Sequence, residues 1–191
     1  MCLKEAPLRG LGIAEGVFVD AFATDISENG LVISGLHNNV GGFFWTQSEG
    51  MTELGGGGAF GLSYDGSVIV GGNYRWTNAT GKVPLPLSTA KGVSADGSVV
   101  AGSFDAYAAR WTEATGRVSL GALPATNIQS FANEISADGS VIVGFSNSGA
   151  ANDRVAFRWT QSGGMVGLGD LPGGSVNSQA MDVSADGSVV V

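Results

Sequence analysis

The sequence predicts an all-β fold of the β-propeller type, an array of four-stranded antiparallel blades with about four full repeats and partial units at both ends. Three features predict it. They are a repeat with two signatures of fixed internal spacing, a step of 31 to 48 residues between copies, and one strand per repeat that is apolar on consecutive positions. Steps of this length are typical of propeller blades rather than of short β-helix coils.

The first signature reads A-x-x-[ILV]-S-x-[DN]-G-[SL]-V-[IV]-x-G and contains the first two strands of each repeat. It occupies residues 23–35, 59–71, 90–102 and 132–144, and a fifth copy runs from Ala180 to Val191. The Asp-Gly pairs between the two strands predict type I′ hairpins, because both turn positions tolerate positive φ. We therefore interpret the repeated aspartates as turn formers: Asp65, Asp96, Asp138 and Asp186, with Asn29 in the first copy.

The second signature, W-T-x-x-x-G-x-x-x-L, predicts the third and fourth strands with a tight turn between them. It begins at Trp45, Trp76, Trp111 and Trp159. Because these tryptophans recur at one structural position, our first interpretation is that they belong to the blade core, and the second is that they stack against sugars. The repeat units are predicted at residues 23–55, 59–87, 90–121 and 132–169, with partial units at 1–12 and 180–191 of a single repeat domain.

The second strand of each repeat carries runs such as Val141-Ile142-Val143, which are apolar without alternation. Such runs predict a strand that is buried on both faces, as in a blade covered by its neighbours. A linear solenoid, in which the units stack without closing, is the alternative architecture.

Composition excludes several classes of function. With 43% hydrophobic residues the chain is expected to fold, and 9 Lys+Arg against 17 Asp+Glu argue against binding to nucleic acid or anionic lipid. The first residues contain no apolar run long enough for a signal peptide or membrane insertion by this segment. One cysteine, Cys2, and one histidine, His37, exclude an internal disulfide and a His/Cys zinc cluster. We predict that folding requires no metal, nucleotide or redox cofactor.

The sequence presents no catalytic constellation, so we predict that the chain is not an enzyme. Asp20, Asp105, Asp153 and Asp170 could in principle supply a glycosidase pair, but their spacing selects none. One carboxylate per repeat makes calcium binding a minor alternative. His37 has no nucleophile motif beside it and is expected in a solvated loop. Three or more acidic residues converging in a central pocket would favour the alternative function, a propeller-fold glycan hydrolase or lyase.

The repeats resemble the bacterial HAF-type probable extracellular repeat, whose units read VSADGSVVVG, AFRWT and GMVxLGxLPGG. Residues 155–160, 164–174 and 183–187 nearly reproduce that consensus, whereas the resemblance is weakest over residues 1–22 and in the second unit. The resemblance implies a location outside the bacterial cell or at its surface, in secreted or autotransporter-like proteins. It implies a binding or structural module.

The two ends of the predicted sheets differ in how much their connections vary in length. The turns between strands one and two and between strands three and four keep one length in every copy, whereas the other connections vary, with 10, 5, 9 and 15 residues from the closing glycine to the tryptophan. Binding sites are commonly built from variable loops on a rigid scaffold. We therefore predict a site for a glycan or protein in loops 36–42, 103–108, 122–130, 146–153 and 170–178. Its candidate residues are His37, Asn38, Asn39, Asp105, Asn127, Asn147, Asn152, Asp153, Asp170 and Asn177.

Finally, the fifth copy stops one position before its closing glycine, and residues 8–12 match the last strand of a unit. We therefore expect the sequence to be an excerpt of a longer repeat protein. That front strand could pair with the fifth copy to complete a blade.

Overall fold

A computed structural model describes residues 20–37, 41–125, 128–148, 153–173 and 176–191. These residues form sixteen strands in four antiparallel four-stranded sheets, each with its strands in chain order. The predicted all-β fold is confirmed, and the four sheets correspond to the four full repeats. The strands are β1 (Ala21–Ile26), β2 (Val32–His37), β3 (Gly41–Thr46), β4 (Gly50–Gly55), β5 (Gly61–Leu62), β6 (Val68–Gly71), β7 (Tyr74–Thr77), β8 (Gly81–Pro84), β9 (Thr89–Val93), β10 (Val99–Phe104), β11 (Tyr107–Thr112), β12 (Gly116–Gly121), β13 (Ser130–Ile135), β14 (Val141–Ser148), β15 (Asp153–Thr160) and β16 (Gly164–Gly169).

We call the four sheets units 1 to 4 and their strands a to d in chain order. The fifth copy, unit 5, has only the beginning of strands a and b, joined by a bridge between Val183 and Val190. Unit 5 repeats the local hydrogen bonding of the others, because Ser184 N donates to Val189 O as Ser94 N does to Val99 O. The predicted front unit, residues 1–12, lies outside the described residues.

Strand a contains a β-bulge directly after its alanine in three units. The register shifts between Ala23 and Asp25 in β1, and between Ala132 and Glu134 in β13. The same shift separates Ala90 from Gly92 in β9, opposite Gly102 and Ala101. A bulge changes the direction of the side chain that follows it. Because all three strands have the bulge at the same position, Asp25, Gly92 and Glu134 occupy equivalent positions in their units.

The hydrophobic core lies between units rather than within one. One cluster joins Val68 and Val70 of unit 2 to Ala90, Val93 and Val100 of unit 3, and similar clusters join each other neighbouring pair of units. In units 2 to 4, strand b is therefore buried on both faces, as its apolar runs predicted, with Ile69, Val70, Val100 and Val143 fully buried.

Two apolar side chains of units 1 and 5 are more exposed than their equivalents in other units. Ile26 of unit 1 is 57% exposed, whereas its equivalents Leu62, Val93, Ile135 and Val183 are at most 8% exposed. Val191 of unit 5 is 70% exposed, although Val143 at the same position of unit 4 is fully buried. Within the described residues, Ile26 and Val191 therefore lack the cover from a neighbouring unit that their equivalents have.

Backbone hydrogen bonds tie the a–b turns of successive units together. Tyr64 N donates to Ala95 O, Ala95 N to Ala137 O, and Ala137 N to Ala185 O, at 2.8–3.0 Å. All five units also line one depression with equivalent residues. The units therefore curve around a common axis with strand a innermost, and the alternative of a linear solenoid is wrong.

Candidate functional site: the uniform end of the sheets

Each a–b turn is held by the same set of hydrogen bonds. In unit 3, Ser94 Oγ donates to Asp96 Oδ1 at 2.7 Å, Ser98 N donates to the same oxygen, and Val99 N donates back to Ser94 Oγ. Asp65, Asp138 and Asp186 make the equivalent bonds, and Asn29 does so in unit 1. These bonds lower the pKa of Asp186 to about 2. The carboxylate at this position closes the turn, and no group of three or more metal-binding side chains occurs among the described residues.

The predicted type I′ geometry of these turns is wrong. Only the glycine of each Asp-Gly pair has a positive φ, as at Gly97 (φ 72°), while the aspartates of these pairs do not. Gly97 N donates to Ser94 O, so the glycine is the last residue of a four-residue turn instead of one of its two central residues. That pattern fits a type I turn followed by a left-handed residue.

The type I′ pattern occurs at the opposite end of the sheet, where the sequence did not predict it. Asp105 and Ala106 connect β10 to β11 with φ values of 47° and 67°, the only positive φ values at non-glycine residues in the described part of the chain. An L-residue in this region is strained relative to glycine. Asp105, a predicted site residue, is exposed and lies in a two-residue hairpin.

The depression on the axis opens at the a–b end and has a volume of about 360 Å³. Among the described residues, four acidic ones line it, Asp25, Glu28, Glu134 and Asp182, and no Lys, Arg or His does. Asp25, Glu134 and Asp182 follow the strand-a alanine by two positions in units 1, 4 and 5, where units 2 and 3 have Gly61 and Gly92. The convergence that would favour a hydrolase is therefore present.

The carboxylates of this axial cluster, Asp25, Glu134 and Asp182, are bound by backbone N–H groups. Asp25 accepts Ile26 N at Oδ1 (2.8 Å) and Leu62 N of the next unit at Oδ2 (2.7 Å). Glu134 Oε1 accepts Ile135 N at 2.9 Å, and Asp182 Oδ1 accepts Val183 N at 2.7 Å. In all three units, the carboxyl group therefore accepts a hydrogen bond from the backbone N–H of the next residue.

Burial, together with the smaller effect of the nearby Asp25 and Asp182 carboxylates, raises the pKa of Glu134 to about 8, against the lowering effect of the hydrogen bond from Ile135 N. Burial also raises the pKa of Asp25, against the lowering effect of its two backbone bonds. Glu134 is therefore protonated at neutral pH. Its side chain fills the space beside Gly92, so a Cβ at that position would displace the Glu134 carboxyl group.

Two grooves open at the same end of the sheets, in equivalent places on units 2 and 4, with volumes of about 660 and 590 Å³. Each is bounded by the Arg-Trp-Thr segment at the end of strand c and the two residues after it, residues 75–79 in unit 2 and 158–162 in unit 4. The turn aspartate of the following unit lies opposite, Asp96 or Asp186. We call these the unit 2 groove and the unit 4 groove.

The tryptophans and arginines of these segments also join units. Trp76, Trp111 and Trp159 are partly buried and pack against the inter-unit clusters, and Trp45 is partly buried as well. Arg75 Nε donates to Gly97 O at 3.3 Å, and an Arg158 guanidinium N–H donates to Gly187 O at 3.4 Å. Each arginine thus binds the a–b turn of the next unit. In unit 1, Phe44 replaces it and lies 4.9 Å from Trp76, centroid to centroid.

We call the end of the sheets with the b–c and d–a connections the variable-length face. Two of its predicted site residues are buried and do not lie in solvated loops. His37 is the last residue of β2 and is only 3% exposed, with Nε2 at 3.0 Å from Met51 Sδ and its ring 4.8 Å from Phe43. Asn147 lies inside β14, 7% exposed, and donates to Gln129 Oε1 at 3.4 Å. Neither is a solvated loop residue, because β2 and β14 extend further than the repeat indicated.

The remaining predicted residues of that face are dispersed. Asp153 begins β15 and is partly buried, while Asp170 and Asn177 are exposed and joined by a bond from Asn177 N to Asp170 Oδ2 at 3.0 Å. Asn38, Asn39, Asn127 and Asn152 lie outside the described residues. Asp20, which the sequence grouped with Asp105, Asp153 and Asp170 as possible catalytic carboxylates, is exposed before β1 and does not line the axial depression. The assignment of a binding site to this face stays a prediction.

Sequence reasoning missed Asp25, Glu134 and Asp182. The available signal was their position, the second variable place in A-x-x-[ILV]-S, which is acidic in three of five copies. Strand a of a propeller lies nearest the axis, so aligned acidic positions there meet in space even when they are far apart in sequence.

Comparison with known proteins supports the fold alone. No protein-family model and no curated protein matches the chain. Among solved structures, a TolB-like protein of Agrobacterium tumefaciens aligns with a TM-score of 0.59 and 16% identity, over 85% of this chain and 69% of that one. The structure titled U3-55K gives 0.55 and 10%, and the WD40 repeats of RRP9 give 0.55 and 11%, each over 85% of this chain and 55% of theirs. No helix among the described residues could span a membrane. The chain has a β-propeller fold.

Proposed function

We propose that the chain is a non-catalytic binding and scaffold module of a secreted or cell-surface bacterial protein. The location rests on the resemblance of residues 155–187 to HAF-type extracellular repeats. The absence of catalysis rests on one observation, that the axial carboxylates are bound by backbone N–H groups. A glycosidase needs two carboxyl groups whose oxygens face the scissile bond from both sides. Here both oxygens of Asp25 already accept N–H groups of the scaffold.

The repeated polar groups also serve the scaffold. The turn aspartates, the serines before them and the threonine hydroxyls after the tryptophans accept or donate hydrogen bonds within the turns. The result is a rigid arc with an end of constant shape. Such a framework is suited to presenting surfaces to a partner.

One observation favours a second candidate, a glycan hydrolase. Glu134, with a pKa raised to about 8, lies near Asp182, and a protonated carboxyl group beside a second carboxyl group is an arrangement used in glycoside hydrolysis. In that candidate Glu134 would be the general acid and Asp182 the base or nucleophile.

Turnover distinguishes the two functions. The chain and its Glu134→Gln and Asp182→Asn variants would be incubated with nitrophenyl glycosides and with dextran, laminarin, mannan and polygalacturonate, and new reducing ends measured. We expect no release by the unchanged chain above that of the variants. Release that both substitutions abolish, with both variants still folded by circular dichroism, would establish the hydrolase and overturn the proposed function.

A further inference from the structure

The unit 2 and unit 4 grooves have the same construction although they lie in separate units. Both contain a tryptophan that packs into the inter-unit core on one side, with Thr77 or Thr160 after it. Their outer rim consists of exposed c–d turn residues, Asn78 and Ala79 or Gln161 and Ser162. Equivalent concavities of this size on one end of a rigid scaffold are candidate binding sites.

The polar groups in these grooves are planar or hydroxylic and nearly balanced in charge. In the unit 4 groove, Arg110 and Arg158 offset Asp138 and Asp186, and the amide of Gln161 and the hydroxyl of Ser162 stand beside them. The unit 2 groove has Arg75 against Asp96 and Glu49, with the amide of Asn78. Guanidinium, carboxylate and amide groups form paired hydrogen bonds with vicinal hydroxyls, and an indole covers an apolar CH face. Neither groove has the large excess of positive or negative side chains that would favour a strongly charged ligand.

We propose that the unit 2 and unit 4 grooves bind a neutral polysaccharide, with one stretch of sugar in each groove. This ligand class rests on the proposed binding function. A polymer fits better than a small molecule because the site is repeated around the arc. Two weak sites on one scaffold gain affinity when one ligand reaches both.

Groove-filling substitutions test the proposal. Ala79→Trp and Ser162→Trp place a bulky side chain at equivalent exposed rim positions of the two grooves. Migration of the chain would be measured in native gels containing dextran, laminarin, mannan or soluble starch, with polygalacturonate as the charged comparison. We expect at least one neutral polysaccharide to retard the unchanged chain. Each single substitution should weaken retardation about tenfold, and the double variant should lose about a hundredfold or more.

The matched control is Val166→Trp, a 55% exposed position of β16 that lines neither groove, which should leave retardation unchanged. If one filled variant melts earlier, Gln161→Ala and Asn78→Ala remove a hydrogen-bonding group without adding bulk. No retardation by any neutral polysaccharide, retention of full affinity by the double variant, or loss caused by Val166→Trp instead would each overturn the groove assignment. These outcomes leave the non-catalytic function standing, since only turnover overturns that.

Discussion

The two ends of each sheet differ in how their connections are stabilised. The uniform end carries the a–b and c–d turns, and the variable-length face carries the b–c and d–a connections. At the uniform end, every a–b turn repeats one hydrogen-bonded motif with a left-handed glycine, and every c–d turn is closed by a threonine. On the variable-length face, the described residues show no such common motif, and they include the strained Asp105-Ala106 hairpin and the bond between Asn177 N and Asp170 Oδ2. The axial cluster and both grooves open at the uniform end.

This difference shows that connections of constant length can still border concavities. Because a repeat places equivalent side chains at the same end of each unit, the unit 2 and unit 4 grooves share an Arg-Trp-Thr segment and the turn aspartate of the following unit. Variable loops can each form a site of their own, but they cannot repeat one.

The largest effect should come from a turn glycine of the uniform end. Gly97→Ala requires positive φ at alanine, and its Cβ would collide with Val68 Cγ2 and lie 3.0 Å from Val68 Cβ in the preceding unit. We expect a loss of about 3 kcal/mol in the free energy of unfolding by urea. The control is Gly116→Ala, where φ is also positive but nothing lies within 4 Å of the new Cβ, and about 1 kcal/mol is expected. Equal losses would show that contact between units is not what fixes the turn.

Glu134→Gln should stabilise the protein, and only above acidic pH. Because the folded pKa of about 8 exceeds the unfolded value near 4.5, the folded state keeps a proton that the unfolded state has lost, and stability falls as pH rises from about 4.5 to 8. The substitution should therefore add on the order of 2 kcal/mol at pH 8, allowing for solvent in the depression, and nothing at pH 4. Thermal unfolding across that range measures it. A constant difference at all pH values would refute ionisation of Glu134 as the cause.

Ser94→Ala tests the repeated turn bonds. The change removes the acceptor of the buried Val99 N–H and the donor to Asp96 Oδ1. Leaving a buried donor unpaired should lower the free energy of unfolding by about 1.5 kcal/mol. Ser98→Ala removes only an exposed bond to Asp96 in the same turn and should cost a few tenths of a kcal/mol. Similar losses for both would mean that the turn bonds do not stabilise the uniform end through burial.

On the variable-length face, Ala106→Gly should produce the smallest change in the free energy of unfolding. The change should be a gain in stability, unlike the losses expected for Gly97→Ala and Ser94→Ala. Glycine relieves the strain of φ 67° but increases the freedom of the unfolded chain, so a net gain of about 0.5 kcal/mol is expected from urea unfolding. Ala79→Gly, at a position without positive φ in the unit 2 c–d turn, should show no such gain. A loss at Ala106 would contradict strain in this hairpin.

The fold could be predicted because its determinants are local and repeated. The signature A-x-x-[ILV]-S places strand a, the glycine after the aspartate ends the turn, and Trp-Thr ends strand c in all four units. Turn geometry could not be predicted from the Asp-Gly pair alone, because the serine three positions before the glycine accepts the Gly N–H and moves the turn back by one residue. The burial of His37 could not be predicted from its local sequence either, because it depends on contacts with Met51 and Phe43 in the neighbouring strands.

The candidate site depends on curvature, which no single repeat contains. Asp25 and Asp182 are 157 positions apart in the chain, and only the turning of five units around one axis brings them to the same depression. The grooves likewise need two or three consecutive units each. A ligand-binding surface that is shared among repeats becomes visible only when the rotation between repeats is known.

The exposure of Ile26 has a consequence for the order in which parts of the arc open. A strand whose side chains are buried between two neighbouring units must lose contacts on both sides before it opens, whereas a strand with exposed side chains loses fewer. Among the described residues, Ile26 of β1 is 57% exposed and Val100 of β10 is fully buried. Amide protons of β1 should therefore exchange with solvent sooner than those of β10.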